Sequence, residues 1–463
     1  MSTKPPATRW HLGLWALVFV LSGNMLLDAL EVSVVIVALP SISHGAGLTV
    51  AGAHWLMSGF ALGFGGLLLF GGRVVVLLGR RRVYLAALLV FAAASLLAGL
   101  IGTPEVLIAT RFVKGFCAAL TAPTGIAIIG ATFREGPDRN RAVSIYSLFG
   151  AAGFSAGLLL SGLFTQLDWR WVFLSPAPLA VVLFAFGMRF IPGDVRDDHV
   201  RRHYDVAGAT CLLGAVTLLV YASVTAGVRG WTDLRVLAAF GLFAVLLAIF
   251  VLIEQRTAWA LVRFGPLLRP RLIRSALGAA ALNGSFWGFL FVCTFQLQDR
   301  LGWTPWATAL AILPSSLLLA LSAPFAGRMI GRFGPAKPIA LGAAAAPLGY
   351  AGYLWSAGSP SYLGTVLPAM VLVGLGFVLA FAALHVQATS GVAAPELNQT
   401  TGVYQTSVQI GGAVILALVA GQSHVDTALV LVTAVGTTGF LIALTGISSA
   451  VPRPNRPRDR TST

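Results

Sequence analysis

Long apolar runs recur along the whole of this 463-residue chain and constrain its fold more than any other feature. Hydrophobic residues make up 57% of the chain and charged residues only 10%. An ordinary soluble domain carries roughly 25% charged residues, and a helix that crosses a bilayer needs about 20 predominantly apolar residues. The sequence therefore predicts an all-α polytopic membrane protein.

Fourteen segments are long and apolar enough to be predicted as transmembrane helices. The polar stretch PGDVRDDHVRRHYD separates the first six segments from the rest. The predicted helices cover residues 13–39, 51–78, 83–102, 105–133, 141–164, 171–191, 206–228, 235–254, 275–298, 304–330, 339–357, 363–388, 400–420 and 425–450. An even number of helices places both termini on the same side of the membrane.

The distribution of Lys and Arg predicts the orientation, because short cytoplasmic loops carry the excess of basic residues. With the N-terminus inside the cell, most of the 31 basic residues fall on the cytoplasmic side. Only Arg170, Arg229, Arg235 and Arg300 fall outside. We therefore predict cytoplasmic termini, and we interpret the net charge of +15 as a topology signal rather than a nucleic-acid-binding surface.

Two internal echoes predict a repeated architecture. The segment GRVVVLLG at 72–79 is echoed by GRMIGRFG at 327–334, and RAVSIYSLFGAAG has a weaker echo in TGVYQTSVQIGGA. Two homologous six-helix bundles are implied, with substrate bound between them near the midplane of the membrane. The predicted organisation is an N-terminal bundle at 1–192, a cytoplasmic linker at 193–205, two inserted helices at 206–256, a C-terminal bundle at 257–452 and a basic tail at 453–463.

Four charged residues lie deep inside the predicted helices and are the main candidates for function. Asp28 and Glu31 belong to the first helix, and Arg111 and Lys114 to the fourth, whereas the other acidic residues lie in loops or at helix ends. A rise of 1.5 Å per residue places Glu31 and Lys114 at about the same depth, with Asp28 one turn deeper. A charge near the membrane centre costs roughly 2.5 to 3.5 kcal/mol, so the four charges require pairing or a hydrated cavity, and their depths make a four-residue ion network feasible.

Two roles are open for this network. In the first, one carboxylate, with Glu31 favoured over Asp28, binds and releases a proton during transport while Arg111 tunes its affinity. In the second, the network is a static salt bridge that joins the first and fourth helices. Both roles predict direct contact between the two helices.

Other polar and aromatic side chains inside the predicted helices are candidates for a substrate cavity. The same side chains would also serve to bond neighbouring helices to one another. The candidates are Asn24, Asn283, Trp287, Gln296, Gln405 and Gln409.

The order of these segments resembles the major facilitator superfamily, and within it the fourteen-helix drug:proton antiporters. GGRVVVLLGRRR resembles the loop between helices 2 and 3 of that superfamily, RFVKGFCAAL its fourth-helix R-x-x-Q-G pattern, and EVSVVIVALP the D-x-T-I-V-N-V-A-L-P of this branch. The resemblance implies a gating loop made of Gly72, Arg73, Gly79, Arg80 and Arg81, repeated by Gly327, Arg328 and Gly334. It also implies a fifth-helix antiporter motif at Gly153, Gly157 and Gly162.

The chain departs from the family patterns at several positions. Glu31 stands where the pattern has Asp, and Lys114 where it has Gln. In the family, an acid of the gating loop is thought to hold the two bundles together in the outward-facing state. Val76 replaces that acid here, so this contact between the bundles is expected to be weaker or built from Arg73 and Arg80. Leu158 replaces the proline of the fifth-helix motif.

The resemblance implies a secondary transporter of the bacterial cytoplasmic membrane that exports a small hydrophobic or amphipathic compound in exchange for protons. We expect a monomer in the lipid bilayer, without a cofactor and without a nucleic-acid partner. The sequence contains no P-loop, metal-ligand cluster or nucleophile–base arrangement, so an enzyme is not predicted. Two alternatives remain: a uniporter or symporter of a polar or anionic metabolite, with Arg111 and Lys114 as anion binders, and a non-transporting membrane receptor or assembly protein.

Overall fold

The computed structural model describes residues 10–194, 205–257, 261–262, 269–356, 358 and 360–447. Regular structure within these residues consists of fifteen α-helices and two π-helical turns. Most of the predicted linker at 193–205 and the whole of the predicted tail at 453–463 lie outside the described residues.

The first bundle begins with a 35-residue helix, which is considerably longer than the predicted segment at 13–39. The sixth predicted span of the first bundle is interrupted at Ser175. Pro176 follows directly, and proline has no N–H to donate to the helix. The helices of this bundle are α1 (Leu12–Ala46), α2 (Val50–Leu78), α3 (Arg80–Ile101), α4 (Pro104–Thr132), α5 (Pro137–Leu167), α6 (Trp171–Leu174) and α7 (Pro176–Phe190).

Two helices follow at the predicted insertion, α8 (Val206–Arg229) and α9 (Leu234–Arg256), and we call them the inserted pair. The second bundle then consists of α10 (Pro270–Phe295), α11 (Pro305–Phe333), α12 (Ala336–Trp355), α13 (Leu367–Thr389), α14 (Ala394–Ala420) and α15 (Val425–Ile447). The π-helical turn Gln296–Arg300 extends α10, and a second one at Tyr362–Val366 leads into α13. Each predicted transmembrane segment therefore corresponds to helix.

Thirteen helical segments in the described part of the chain are long and apolar enough to cross a membrane. The predicted segment at 339–357 corresponds to α12, a helix of 20 residues that is not among the thirteen. This helix is rich in alanine, glycine and proline and contains few large aliphatic residues, which lowers its hydropathy. The exact number of fourteen spans and the cytoplasmic position of the termini stay predictions.

The two bundles share one apolar core, which takes in the predicted outer half of α1 and extends along α10 and the turn that follows it, from Leu272 to Leu297. That core contains Val34 to Leu39 of α1 together with Phe286 and Leu290 of α10. A separate core fills the predicted cytoplasmic half of the first bundle, and its members, such as Leu17 and Ile129, all come from that bundle. The bundles therefore meet along the predicted outer half of α1, and α2 meets α14 deeper in the molecule, at Gly65 and Leu69.

Specific contacts reinforce the seam between the bundles. Gln298 Nε2, in the turn after α10, donates a 2.8 Å hydrogen bond to the carbonyl oxygen of Val37 on α1. Thr406 Oγ1 on α14 donates a 2.9 Å hydrogen bond to the carbonyl oxygen of Gly65 on α2. The inserted helix α8 packs against both α2 and α14, so it lies along this second contact.

Candidate functional site

A buried group of three charged side chains joins α1 to α4. Arg111 Nη1 donates a 2.6 Å hydrogen bond to Glu31 Oε2, and Lys114 Nζ lies 2.5 Å from Glu31 Oε1. Each of the three side chains is at most 1% exposed. The predicted contact between the two helices is present, and we call Glu31, Arg111 and Lys114 the charge cluster.

The two cations of the charge cluster are held differently. Arg111 also donates through Nε to the carbonyl oxygen of Leu56 at 2.7 Å, and its guanidinium carbon lies 4.8 Å from the ring centre of Phe60. Lys114 Nζ lies close to Glu31 and 4.9 Å from the ring centre of Phe91, but no backbone carbonyl of the described residues accepts a hydrogen bond from it. Removing an ion from water costs several kcal/mol, so such compensating contacts are required. Arg111 is therefore the more firmly anchored cation.

Asp28 does not join the charge cluster. Its Oδ2 accepts a 3.0 Å hydrogen bond from Asn24 Nδ2 and another of 3.0 Å from Thr121 Oγ1. The structure therefore brings three of the four charged residues together, whereas neutral donors rather than cations hold Asp28. Thr121 was missed by the sequence analysis, and its spacing of seven residues from Lys114 on one face of α4 was the only signal for it.

Three substrate-cavity candidates bond or pack within the second bundle. Asn283 Nδ2 donates a 3.2 Å hydrogen bond from α10 to the carbonyl oxygen of Val408 on α14. Gln296 Oε1 accepts a 3.1 Å hydrogen bond from the Tyr353 hydroxyl on α12. Trp287 is 5% exposed and packs among the core residues shared by the bundles. These positions match the helix-bonding interpretation of the polar residues.

The remaining candidates occupy different surroundings. Asn24 donates its hydrogen bond to Asp28 within the first bundle. Gln409 is 7% exposed and packs against Gly65 of α2, so it lies in the seam between the bundles. Gln405, one turn earlier on α14, is only half-buried. The structure therefore does not bring all six candidates together into one cavity.

The gating loop at the α2–α3 junction is tied to its own bundle. Gly79 has a φ of +95°, a conformation that favours glycine. The backbone N–H of Arg81 donates to Asp194 Oδ1 at 3.0 Å, and Arg81 Nη2 donates to the carbonyl oxygen of Met188 at 2.5 Å. Val76 is 65% exposed. An acidic side chain therefore does bind this loop, but it is Asp194, which follows α7. Its negative charge also interacts favourably with the positive N-terminal end of the α3 dipole.

The corresponding junction in the second bundle has the same backbone feature. Gly334 joins α11 to α12 with a φ of +72°, as Gly79 joins α2 to α3. The side chains of Arg80 and Arg328 are exposed, and the spaces around Gly72 and Gly327 are open. The backbone conformation therefore favours glycine at Gly79 and Gly334. At Gly72 and Gly327 neither the backbone conformation nor a close neighbour requires glycine.

The glycines of the fifth-helix motif allow close packing on two different neighbours. A Cβ atom on Gly153 would come within 2.5 Å of the carbonyl oxygen of Leu26, and one on Gly157 within 2.7 Å of that of Leu30. Gly162 faces α11 of the second bundle, where a Cβ would lie 2.7 Å from Ala309 Cβ. The motif thus packs α5 on α1 and, at the predicted outer end, on the other bundle.

Known proteins resemble this chain over most of its length. A family model described as Major Facilitator Superfamily matches residues 21–416. The puromycin resistance protein pur8 of Streptomyces alboniger is 35% identical over 426 residues, which cover 89% of this chain and 82% of that protein. The cephamycin export protein CmcT of Amycolatopsis lactamdurans is 33% identical over 403 residues, which cover 84% and 80% of the two chains.

A solved structure has the same fold. The crystal structure of the POT family transporter PepTSo matches with a TM-score of 0.69 at 15% identity, covering 96% of this chain and 99% of that one. At this identity the likeness concerns the fold alone. The family model and the resistance and export proteins together show that the chain belongs to the Major Facilitator Superfamily.

Proposed function

We propose that this protein exports a small hydrophobic or amphipathic compound across the bacterial cytoplasmic membrane in exchange for protons, as a monomer with cytoplasmic termini. Membership of the superfamily makes it a transporter rather than an enzyme. Relatives named for puromycin resistance and cephamycin export support the substrate class and the outward direction.

The observation that carries the proton coupling is the position of Glu31 between two cations of another helix. A proton on Glu31 would neutralise the carboxylate and leave Arg111 and Lys114 without their counter-charge in a buried site. The state of the proton and the packing of α1 on α4 are therefore energetically linked. Such a link is what a transporter needs to couple proton binding to a change of conformation.

The contacts between the bundles support alternating access. The shared core and the bond from Gln298 to Val37 join α1 to α10 in the predicted outer half of the first bundle, whereas the predicted cytoplasmic half of the first bundle has its own core. We interpret this arrangement as the state that receives substrate from the cytoplasm. Release on the outer side then requires the contacts of Val37 and Gly162 to separate.

The alternative of an anion or polar-metabolite transporter lacks a supporting observation. It would need Arg111 and Lys114 to face a cavity, but both are at most 1% exposed and both contact Glu31. Neither cation is therefore presented to a substrate in this state.

Proton-coupled export can be tested with the full-length protein in proteoliposomes that contain a pH indicator. Puromycin, chosen from the name of a relative, and a chemically diverse panel of amphipathic compounds serve as probes. We expect compound-dependent proton movement with the wild type and none with Glu31→Gln, while Asp233→Asn, which changes the N-cap of α9, behaves as the wild type. Compound movement without proton movement in the wild type would contradict antiport, and unimpaired activity of Glu31→Gln would contradict its role.

A further inference from the structure

Two acidic side chains outside the charge cluster meet at the predicted cytoplasmic end of the inserted pair. Asp205 is the N-cap of α8, and Glu254 lies in the last turn of α9. The two residues are 7% and 4% exposed, and their side chains are within hydrogen-bonding reach of each other. We call Asp205 and Glu254 the carboxyl pair.

Each carboxyl group has one satisfied oxygen and one unsatisfied oxygen. Asp205 Oδ1 accepts a 2.8 Å hydrogen bond from the Gly208 N–H, and Glu254 Oε2 accepts a 3.0 Å hydrogen bond from the Val262 N–H. Asp205 Oδ2 and Glu254 Oε1 are buried and have no hydrogen-bond partner among the residues that the structure describes. Two ionised carboxylates in contact repel each other, whereas one proton between them removes the repulsion and satisfies both free oxygens.

Within the described part of the chain, no charged side chain takes the place of this proton. On α2, α9 and α14, the other charged residues of the described chain near the predicted cytoplasmic ends are Arg73, Arg256 and Glu396. Glu396 is paired with Arg269 at 2.8 Å. Neither arginine supplies a partner to the free oxygens of the carboxyl pair.

The carboxyl pair is connected to the seam between the bundles through a small apolar cluster. Ala209, Phe250, Leu261 and Val262 form this base cluster, and they pack against partly buried residues of both bundles, which are Leu69 and Phe70 on α2 and Val403 on α14. Leu69 also packs against Gly402 of α14. Val262 belongs to the base cluster and bonds Glu254, so a change at the carboxyl pair reaches the seam directly.

We propose that Asp205 and Glu254 form a second proton-binding site, in which one shared proton closes the base of the inserted pair over the α2–α14 seam. Loss of the proton leaves two like charges in contact, which separates the start of α8 from the end of α9 and loosens the base cluster. Cytoplasmic pH thus sets how firmly the inserted pair braces the two bundles. The site is independent of Glu31 and of the compound that is transported.

A native thiol reports on the base cluster. Cys211 on α8 is partly buried against this cluster, whereas Cys117 and Cys293 are buried elsewhere. We suggest measuring the rate of maleimide labelling of Cys211 in the full-length protein between about pH 5 and about pH 9, a range in which a shared carboxyl proton is lost. Mass spectrometry of the labelled peptide identifies the modified residue.

The matched comparison is between the wild type and Glu254→Gln, whose amide can donate to Asp205 without titrating. Both proteins carry the same thiol, so the ratio of their labelling rates cancels the ionisation of Cys211 itself. We expect equal rates at low pH and labelling several-fold faster in the wild type at high pH. Asp233→Asn, at the other end of the inserted pair, should follow the wild type. Equal rates of wild type and Glu254→Gln at every pH would overturn the proposal.

Infrared difference spectroscopy of the wild type keeps the proposal testable even if the variants fold poorly. Raising the pH should remove one protonated-carboxyl band, which persists in Glu31→Gln and is missing from Asp205→Asn and Glu254→Gln. A wild-type spectrum without this band would overturn the proposal. Displacement of the band by added sodium or potassium at constant pH would also overturn it, because a metal cation would then occupy the carboxyl pair.

Discussion

The first helices of the two bundles, α1 and α10, are both buried and both carry polar residues, but they bond to their neighbours in different ways. On α1, Glu31 contacts two cations of α4. On α10, Asn283 bonds a backbone carbonyl and Ser285 accepts a 3.2 Å hydrogen bond from the Tyr350 hydroxyl. The buried charges of these contacts therefore lie in the first bundle. In the second bundle, neutral hydrogen bonds join α10 to α12 and α14.

This difference separates two tasks. A neutral amide or hydroxyl bond keeps the same protons throughout a transport cycle, so it can hold helices together but cannot respond to a proton gradient. A buried carboxylate between two cations can respond, because its protonation changes the net charge of the site. The comparison assigns proton chemistry to the first bundle, and substitutions in the two bundles should differ accordingly.

The largest effect is expected from Glu31→Ala. This change leaves Arg111 and Lys114 as uncompensated buried charges, which typically costs about 3–5 kcal/mol of unfolding free energy. Chemical denaturation of the full-length protein in detergent measures it. A cost below about 1 kcal/mol, the size of one neutral hydrogen bond, would remove the energetic distinction between the bundles.

Arg111→Gln and Lys114→Gln should differ from each other. Arg111 makes directed bonds to Glu31 and Leu56, so its loss is expected to cost about 2–3 kcal/mol, whereas loss of Lys114 leaves Arg111 to balance Glu31 and costs about 1 kcal/mol. The same denaturation experiment compares them. Equal costs would show that the two cations share Glu31 evenly.

Tyr353→Phe tests the second bundle, since it removes only the hydroxyl that bonds Gln296. We expect a loss of about 1 kcal/mol in stability and no loss of proton-coupled transport. Tyr350→Phe, which removes the bond to Ser285, is a matched second variant. Uncoupled transport in either variant would place proton chemistry in the second bundle as well.

The smallest effect is expected from Val76→Asp, which adds a charge to the first bundle at an exposed position. Such surface substitutions usually change stability by no more than about 0.5 kcal/mol. Cysteine labelling at the predicted cytoplasmic mouth should also be unchanged, because Asp194 already serves this loop. A clear shift in labelling would show that exposed as well as buried charges of the first bundle control its conformation.

The sequence was sufficient to predict the helices and the shared depth of Glu31 and Lys114, because apolar length and helical depth are local properties, but it did not separate Asp28 from the charge cluster. Glu31, Arg111 and Lys114 could be matched by depth since each lies on a continuous helix whose direction the sequence predicts. α12 was predicted as a span and is a helix, but its small residues make its apolar character weaker than that of the others.

Contacts between distant segments could not be predicted in the same way. Asp194 bonds Arg81 across 113 residues, and no pattern in either segment indicates this partner. Thr121 completes the surroundings of Asp28 from another helix. Asp205 and Glu254 were classified with the acids at helix ends, because only the packing of α8 on α9 shows that the two are buried together.

The most direct test of the account is a comparison of two modes of transport in proteoliposomes, with wild type and Glu31→Gln. One mode is uphill movement of a transported compound driven by a pH gradient, and the other is counterflow of labelled against unlabelled compound without a gradient. The account predicts that Glu31→Gln loses the gradient-driven movement and retains counterflow. Gradient-driven accumulation by Glu31→Gln at the wild-type level would contradict it.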